Sequence, residues 1–570
     1  MSTPSSGDTS ISQPRRHIVK ACEGCRHQKI RCNGESPCER CARLSLPCTV
    51  RTVARQRRPP ALRKSPPKRP SQENLELIRA AFRPVRITDE ATGRTAVYGP
   101  TSTVALLHLL ASNSPSNPAV PVKNLTYESL VNNINSSISI DGPGLHPFLS
   151  QPYVPSPTLG LSLTPPLCLS TIPNELLQFF LNSYLSTAWS ILPMQTPAQL
   201  GGLFASVCMA FSQNSPPPAL YPILLYQLAM GSLSTAQGEL ADLLVQESDL
   251  FISTGSHLTD ALNLQLNILM IIYIQYCNET GRFERAYSLL GHVAPKVYAA
   301  GFHLEPRRPG ITRLIRSLLS AESFICIALG RPPLLGPSVE VCTENESADS
   351  RFFSGLFAII SHILFAQKNP VADLNEQWDS IWTTHDRLTS FWEEYEPLLR
   401  SLHTDPYRPW NIVDTLALKG VLYEYAVITN FKPVLLYTGH KKSPPENAAW
   451  SASSQTDIPT TSLASKTDSD KTPSAAGEHI LASAKNIIAT IAEVRQRGSM
   501  AKDLPMNSFF LEVACTSLIA YGVWHDNPAA VWDSIDLGVH CIEELQYQRV
   551  AVQRLAAVKA AIAQSGLRRQ

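Results

Sequence analysis

The 570-residue chain has no uninterrupted run of about 18 apolar residues, the length that spans a bilayer. The nearest stretch, Leu262 to Tyr276, is broken by Asn263, Gln265, Asn267 and Gln275, and is expected to form a buried helix. The first twenty residues lack the apolar core of a secretion signal. A reducing compartment is therefore expected, where clustered cysteines serve as metal ligands rather than disulfides. Also absent are G-x-G-x-x-G, a P-loop, H-E-x-x-H and G-x-S-x-G. With no catalytic constellation to name, an enzyme is not expected.

The net charge is close to neutral, at +2, but its distribution is lopsided. Residues 1–70 carry 16 Lys/Arg against 4 Asp/Glu, whereas the remaining 500 carry 33 against 43. A basic head on a mildly acidic body suits a polyanion, most often nucleic acid. The length exceeds one ordinary domain and permits a large buried core.

Six of the thirteen cysteines fall within 29 residues: Cys22, Cys25, Cys32, Cys38, Cys41 and Cys48. Their spacing, C-x2-C-x6-C-x5-C-x2-C-x6-C, is a near-duplicate of one half-motif. Each half offers three thiolates, while a closed structural zinc site takes four in a tetrahedron. Six sulfurs therefore satisfy two zinc ions only if two of them are shared. Iron–sulfur ligation, with four cysteines per cluster, fits two triplets poorly. The stretch from Cys22 to Cys48 contains no Phe, Tyr or Trp, so it lacks the stacking platform of a single-strand binder.

This stretch resembles the fungal Zn2Cys6 binuclear cluster of the galactose-regulator type. All six cysteines match, as do Arg26, Lys29 and Arg31 of the pattern C-R-x-x-K-x-R-C, and Pro37 stands where the family commonly has a loop proline. The resemblance implies two Zn2+ ions with Cys22 and Cys38 bridging. A short helix in RHQKIR, held by metal ligands at both ends, would project Arg26, His27, Gln28, Lys29 and Arg31 outward and leave Ile30 for packing. The second half carries Arg43 as the base after Cys41. The first half is thus expected to enter the major groove of double-stranded DNA and the second to support it. Lys and Arg pair with guanine O6 and N7, and Gln can read adenine. By the resemblance, Lys29 reads a CGG-type triplet, with Gln28 beside it. Arg26 and Arg31 are expected on phosphate, which positions without specifying.

Arg51 to Gln72 holds eight bases and five prolines and is expected to be an extended linker. Its Arg55, Arg57, Arg58, Arg63, Lys64, Lys68 and Arg69 suit phosphate contacts or nuclear import. Leu75, Ile78 and Phe82 then share one helix face, without the sustained heptads of a strong coiled coil. Further on, VYGPTSTVALLHLLA (97–111) resembles the Y-G-P-T/S segment that precedes the central domain of such regulators. GFHLEP (301–306) and IALGRPPLL (327–335) resemble their middle homology region. The stretch before L-G-R-P departs from that pattern, with Glu322 and Ser323 where the family has Asp-Arg. Arg331 is expected to pair with a local acid rather than a ligand, His303 to end a helix, and the scattered cysteines to be core residues.

The fold expected is a small zinc-stabilised N-terminal module, two short helices around a two-zinc cluster, plus a large all-α regulatory body and disordered linkers. The divisions are a tail at 1–19, the DNA-binding module at 20–50 and a basic linker at 51–72. A partly ordered stretch at 73–170, the helical middle region at 171–440, a Ser/Thr-rich linker at 441–477 and C-terminal helices at 478–565 follow. Such a chain would be a nuclear, sequence-specific transcription factor for RNA polymerase II promoters. A secondary-metabolite gene cluster is its expected target, with a catabolic (carbon or nitrogen source) route, or a repressor's role, as the alternatives. Transcription machinery or co-regulators, and a weak homodimer, are its expected partners.

Overall fold

The structure is a computed structural model. It describes residues 21–49, 72–88, 95–112, 169–235, 237–253, 260–277, 282–304, 309–335, 348–368, 374–403, 410–442, 471–498, 500–545 and 549–567. The tail at 1–19 and the linker bases from Arg55 to Arg69 lie outside the described residues. The chain divides into two compact units, Met1–Lys68 and Arg69–Gln570.

In the first unit, helices α1 (Glu23–His27) and α2 (Glu39–Arg43) each begin directly after a cysteine. The buried side chains of this unit are cysteines alone among the described residues.

The second unit is helical, with one antiparallel ribbon. Helix α3 (Gln72–Phe82) leads into strands β1 (Val85–Thr88) and β2 (Thr95–Tyr98), paired with Val85 opposite Tyr98, and then helix α4 (Thr103–Ser112). The first of two hydrophobic cores is built from α5 (Asn174–Ser186), α6 (Ala188–Ile191), α7 (Pro197–Ser212), α8 (Tyr221–Leu233), α9 (Gly238–Ser253), α10 (Asp260–Cys277) and α11 (Arg282–Ala299). Helix α12 (Pro309–Leu329) serves both cores: Leu314, Leu318, Ile325 and Leu329 face the first, while Phe324 and Ile327 face the second. The second core is completed by α13 (Ala348–Lys368), α14 (Leu374–His403), α15 (Trp410–Lys442), α16 (Pro473–Gln496), α17 (Pro505–Trp524), α18 (Trp532–Glu543) and α19 (Arg549–Ser565).

Each core is organised around a helix hidden on nearly every side, α8 in the first and α17 in the second. Helix α17 is long and apolar enough to cross a bilayer, yet 89% of its apolar window is buried inside the body. Among the described residues it is α17, rather than the stretch around Leu262–Tyr276, that passes this test, and its Asn507, Ser508 and Glu512 are buried with the rest. Glu512 and Arg554 form a buried ion pair between α17 and α19, with the guanidinium 5.1 Å above the Phe509 ring.

Local chemistry sets the helix ends. Thr196 and Gln199 form a reciprocal capping box at the start of α7, at 3.2 and 2.9 Å. Thr472 accepts from the Ala475 amide at 3.1 Å and Pro473 takes the first helical position, so the helices resume five residues before Glu478. The apolar face of α3 is covered within the chain, where Leu77, Ile78 and Ala81 join the core that contains α15.

Two of the short motifs, Y-G-P-T before the middle region and L-G-R-P within it, meet each other. Gly99 of Y-G-P-T donates its amide to Leu329 O at 3.0 Å, and a Cβ on Gly99 would lie 2.0 Å from Gly330 O. Gly330 itself has φ +66°, the left-handed turn that ends α12. Only two glycines permit this backbone crossing. Beside it, Lys432 of α15 is wholly buried and donates to Thr101 O at 2.7 Å. Burial pushes the Lys432 ammonium down to about 7.

Candidate metal centre and nucleic-acid interface

The first unit repeats itself at an interval of sixteen residues, and its backbone shows how. Cys22 and Cys38 stand at the N-terminal ends of α1 and α2. Arg26 N bonds Cys22 O at 3.0 Å, and Ala42 N bonds Cys38 O at 2.9 Å. Each helix closes in a Schellman turn: Ile30 N reaches Cys25 O at 3.0 Å and Leu46 N reaches Cys41 O at 2.9 Å. The left-handed residues at the two turns are Lys29 (φ 54°) and Ser45 (φ 46°).

These turns correct the expected helix in RHQKIR. The helix starts before Cys25 and ends at His27, so it is not held by ligands at both ends. The chain must reverse for Cys32 to return to the other sulfurs, and the left-handed Lys29 makes that reversal. Ile30 does not pack inward either: it is 41% exposed, because the residue beneath this turn is Cys25, already buried among sulfurs.

Five of the six cysteines are buried and Cys48 is half-buried. Two sets of four sulfurs have all members within 4.8 Å of one another: Cys22, Cys25, Cys32 and Cys38, and Cys22, Cys38, Cys41 and Cys48. Cys22 and Cys38 belong to both sets. The Sγ atoms of Cys22 and Cys38, Cys22 and Cys41, and Cys25 and Cys38 are each 3.7 Å apart. A disulfide would bring sulfurs to about 2.05 Å. Four thiolates at about 2.3 Å from a tetrahedral zinc lie about 3.8 Å from one another. The sulfur spacing therefore fits zinc and excludes cystine.

The two shared cysteines also differ electrostatically from Cys25 and Cys41. The Cys25 and Cys41 amides pull the Cys22 and Cys38 thiols, respectively, below the ordinary range. Burial, with the neighbouring sulfurs, pushes the Cys25 thiol up to about 11, and hydrogen bonding with Cys38, then burial, raises Cys41. Metal binding to such a set must displace protons.

Arg26, His27, Gln28, Lys29 and Arg31 are all exposed around the first turn, and Arg43 is exposed on the second half. The sequence reading passed over Arg40. Its Nη2 donates to Gln28 Oε1 at 2.6 Å, across the two halves. The available signal was the alignment of the halves, in which Arg40 replaces Gly24.

In the body, Arg331 is held by an acid rather than a ligand, as expected, but by one on another helix and not a local one. Its Nη1 and Nη2 grip Glu284 at 2.6 and 2.7 Å, its Nε donates to Val97 O at 3.1 Å, and it lies over the Tyr287 ring at 5.2 Å. Glu322 accepts the Leu334 and Leu335 amides at 2.6 and 2.8 Å, and burial pushes its carboxyl up to about 7. Ser323 bonds Ser361 at 2.6 Å. His303 packs its ring on Tyr298 just past α11. Cys326, Cys515 and Cys541 are buried, and Cys208 is half-buried.

The fungal Zn(2)-Cys(6) binuclear cluster domain matches residues 20–58. Over 59 residues the chain is 42% identical to transcription factor PDR1 of Saccharomyces cerevisiae, covering 9% of this chain and 6% of that protein. Over 75 residues it is 31% identical to the notoamide biosynthesis transcriptional activator notL' of Aspergillus versicolor, covering 13% and 12%. Over 56 residues it is 38% identical to the quinic acid utilization activator of Emericella nidulans, covering 10% and 7%. The chain thus spans only a small part of the length of these relatives. No solved structure matches the chain. On the match and the sulfur geometry together, residues 20–58 belong to the fungal Zn(2)-Cys(6) binuclear cluster domain family, a domain that binds two zinc ions.

Proposed function

We propose that this chain is a nuclear, sequence-specific transcription regulator of RNA polymerase II promoters, and that its cluster module reads duplex DNA. Cys22, Cys25, Cys32 and Cys38 hold one zinc and Cys22, Cys38, Cys41 and Cys48 the other. Lys29 reads a CGG-like triplet in the major groove, and Arg26, Arg31 and Arg43 contact phosphate. The observation that carries this reading is the exposed run from Arg26 to Arg31, raised on a turn anchored to buried sulfurs. The linker bases add phosphate contacts and a nuclear-import signal, on the strength of their composition. The helical body regulates and recruits, without turnover of its own. Because α3 is already covered within the chain, a homodimer forms weakly and through other surfaces.

The target is the gene cluster of one biosynthetic route, in keeping with the biosynthesis activator among the relatives. Control of a catabolic route is the second reading, favoured by the quinic acid utilization activator. Mapping the tagged protein across its genome tests both. Occupancy at a few neighbouring promoters over CGG-like triplets is expected, and the genes beneath decide between the routes. On the best site, Lys29→Ala should cost about 1–3 kcal/mol and relax discrimination. Equal losses on specific and random duplexes would remove Lys29 from base reading.

A further inference from the structure

A glutamine that reads adenine uses both ends of its carboxamide: Oε1 accepts from adenine N6 while Nε2 donates to N7. In Gln28 the oxygen end is already engaged, which fixes the way the carboxamide points. Arginine carries only donors, so the 2.6 Å contact with Arg40 must use Gln28 Oε1. The other end, the nitrogen of an exposed side chain, carries donors alone. Arg40 is itself anchored, since it lies on α2 between Cys38 and Cys41, both buried.

An exposed contact of this kind adds little to stability. Its consequence is orientation. We infer that Arg40 is a positioning residue for base recognition: it fixes the Gln28 carboxamide as a donor and turns Gln28 from an adenine reader into a guanine reader. Guanine offers two acceptors in the major groove, O6 and N7, whereas adenine sets a donor beside its single acceptor. The contact has no counterpart in the other half. There, Gly24 stands in the place of Arg40 and Leu44 in the place of Gln28. The pseudo-symmetric scaffold thus gains one asymmetric device, on the half that carries the basic run.

This inference rests on the DNA-reading function proposed above. The test is selection of duplexes from a random pool by the purified full-length, zinc-loaded chain, its R40A and Q28A variants, and the double variant. Zinc content is measured for each, to establish that the module is intact. The wild type should prefer guanine over adenine about five- to tenfold at one base pair beside the Lys29 contact. Q28A should lose preference at that pair alone. R40A should shift that pair towards adenine, and R40A should have no such effect once Gln28 is gone. An R40A variant with two zincs, weaker on every sequence and unchanged in preference, would make Arg40 a phosphate contact and overturn the inference. If the wild type with two zincs selects no sequence at all, the DNA-reading function itself fails, and the inference with it.

Discussion

Between Cys22 and Cys48 the buried side chains are cysteines, and the larger hydrocarbons Ile30, Leu44 and Leu46 are 41%, 49% and 46% exposed. In the body the pattern is reversed: α8 and α17 are enclosed by Leu, Ile, Phe and Tyr, and Glu512 and Arg554 are buried as a pair. A segment of about thirty residues cannot bury enough carbon to offset its chain entropy. Metal–sulfur bonds take over that role and leave the surface free for charge. In the body, burial does the work and ionic chemistry is confined to a few pairs. The comparison implies that each unit can be broken by an agent to which the other is indifferent.

The largest effect should come from the metal. Chelation, or Cys38→Ala, should release both zincs and abolish sequence-specific DNA binding, because one sulfur serves both sets of four. Calorimetry should show the main melting transition of the body unmoved; a body that melts with the zinc would erase the distinction. Next is the ion pair at the heart of the second core. Glu512→Ala leaves the Arg554 guanidinium buried without its carboxylate and should cost the body about 3–5 kcal/mol by denaturant melting. Zinc content should stay at two per chain.

A smaller effect is expected where the backbones cross. Gly99→Ala puts a methyl 2.0 Å from Gly330 O and should cost about 3 kcal/mol, read in the same melt. The smallest effect is a slope. The Lys432 ammonium titrates near 7 in the folded body and near 10.5 when unfolded. From pH 7 upward the unfolded chain therefore holds the extra proton, so stability rises with pH until about 10.5 is reached. Between pH 7 and 9 this amounts to about 2 kcal/mol. Lys432→Met should flatten that rise, and an unchanged slope would show that the amine is not sealed.

The two units also differ in how far their sequences disclose them. The zinc set was legible because its ligands lie close together and their chemistry permits few spacings. The turn at Lys29 was not, since a left-handed position normally signals itself with Gly or Asn and here carries a lysine. Nor was the Arg40–Gln28 contact, which joins two halves that look independent along the chain. In the body, the apolar period showed helices from α5 onward. It could not show that Glu284 is the acid for Arg331, or that Gly99 meets Gly330. Those pairings depend on how distant helices stack, which no local pattern encodes. The enclosed α17 escaped notice for a related reason: Ser508, Thr516 and Ser517 look like surface residues until their hydroxyls are found bonding backbone carbonyls one turn earlier.

The backbone crossing at Gly99 also bears on how the chain is made. Helix α4, just past the crossing, packs on α15, α17 and α19. Its partners thus leave the ribosome well after it does. At synthesis rates of about 5–20 residues per second, α4 waits on the order of half a minute or more for them. The cysteine cluster is complete once Cys48 has emerged. A nascent chain therefore carries a finished metal module well before its body can close, and a message truncated after α15 would encode a product with an intact metal module and an open body. On the function proposed above, such a product would compete with the longer chain for the same DNA sites.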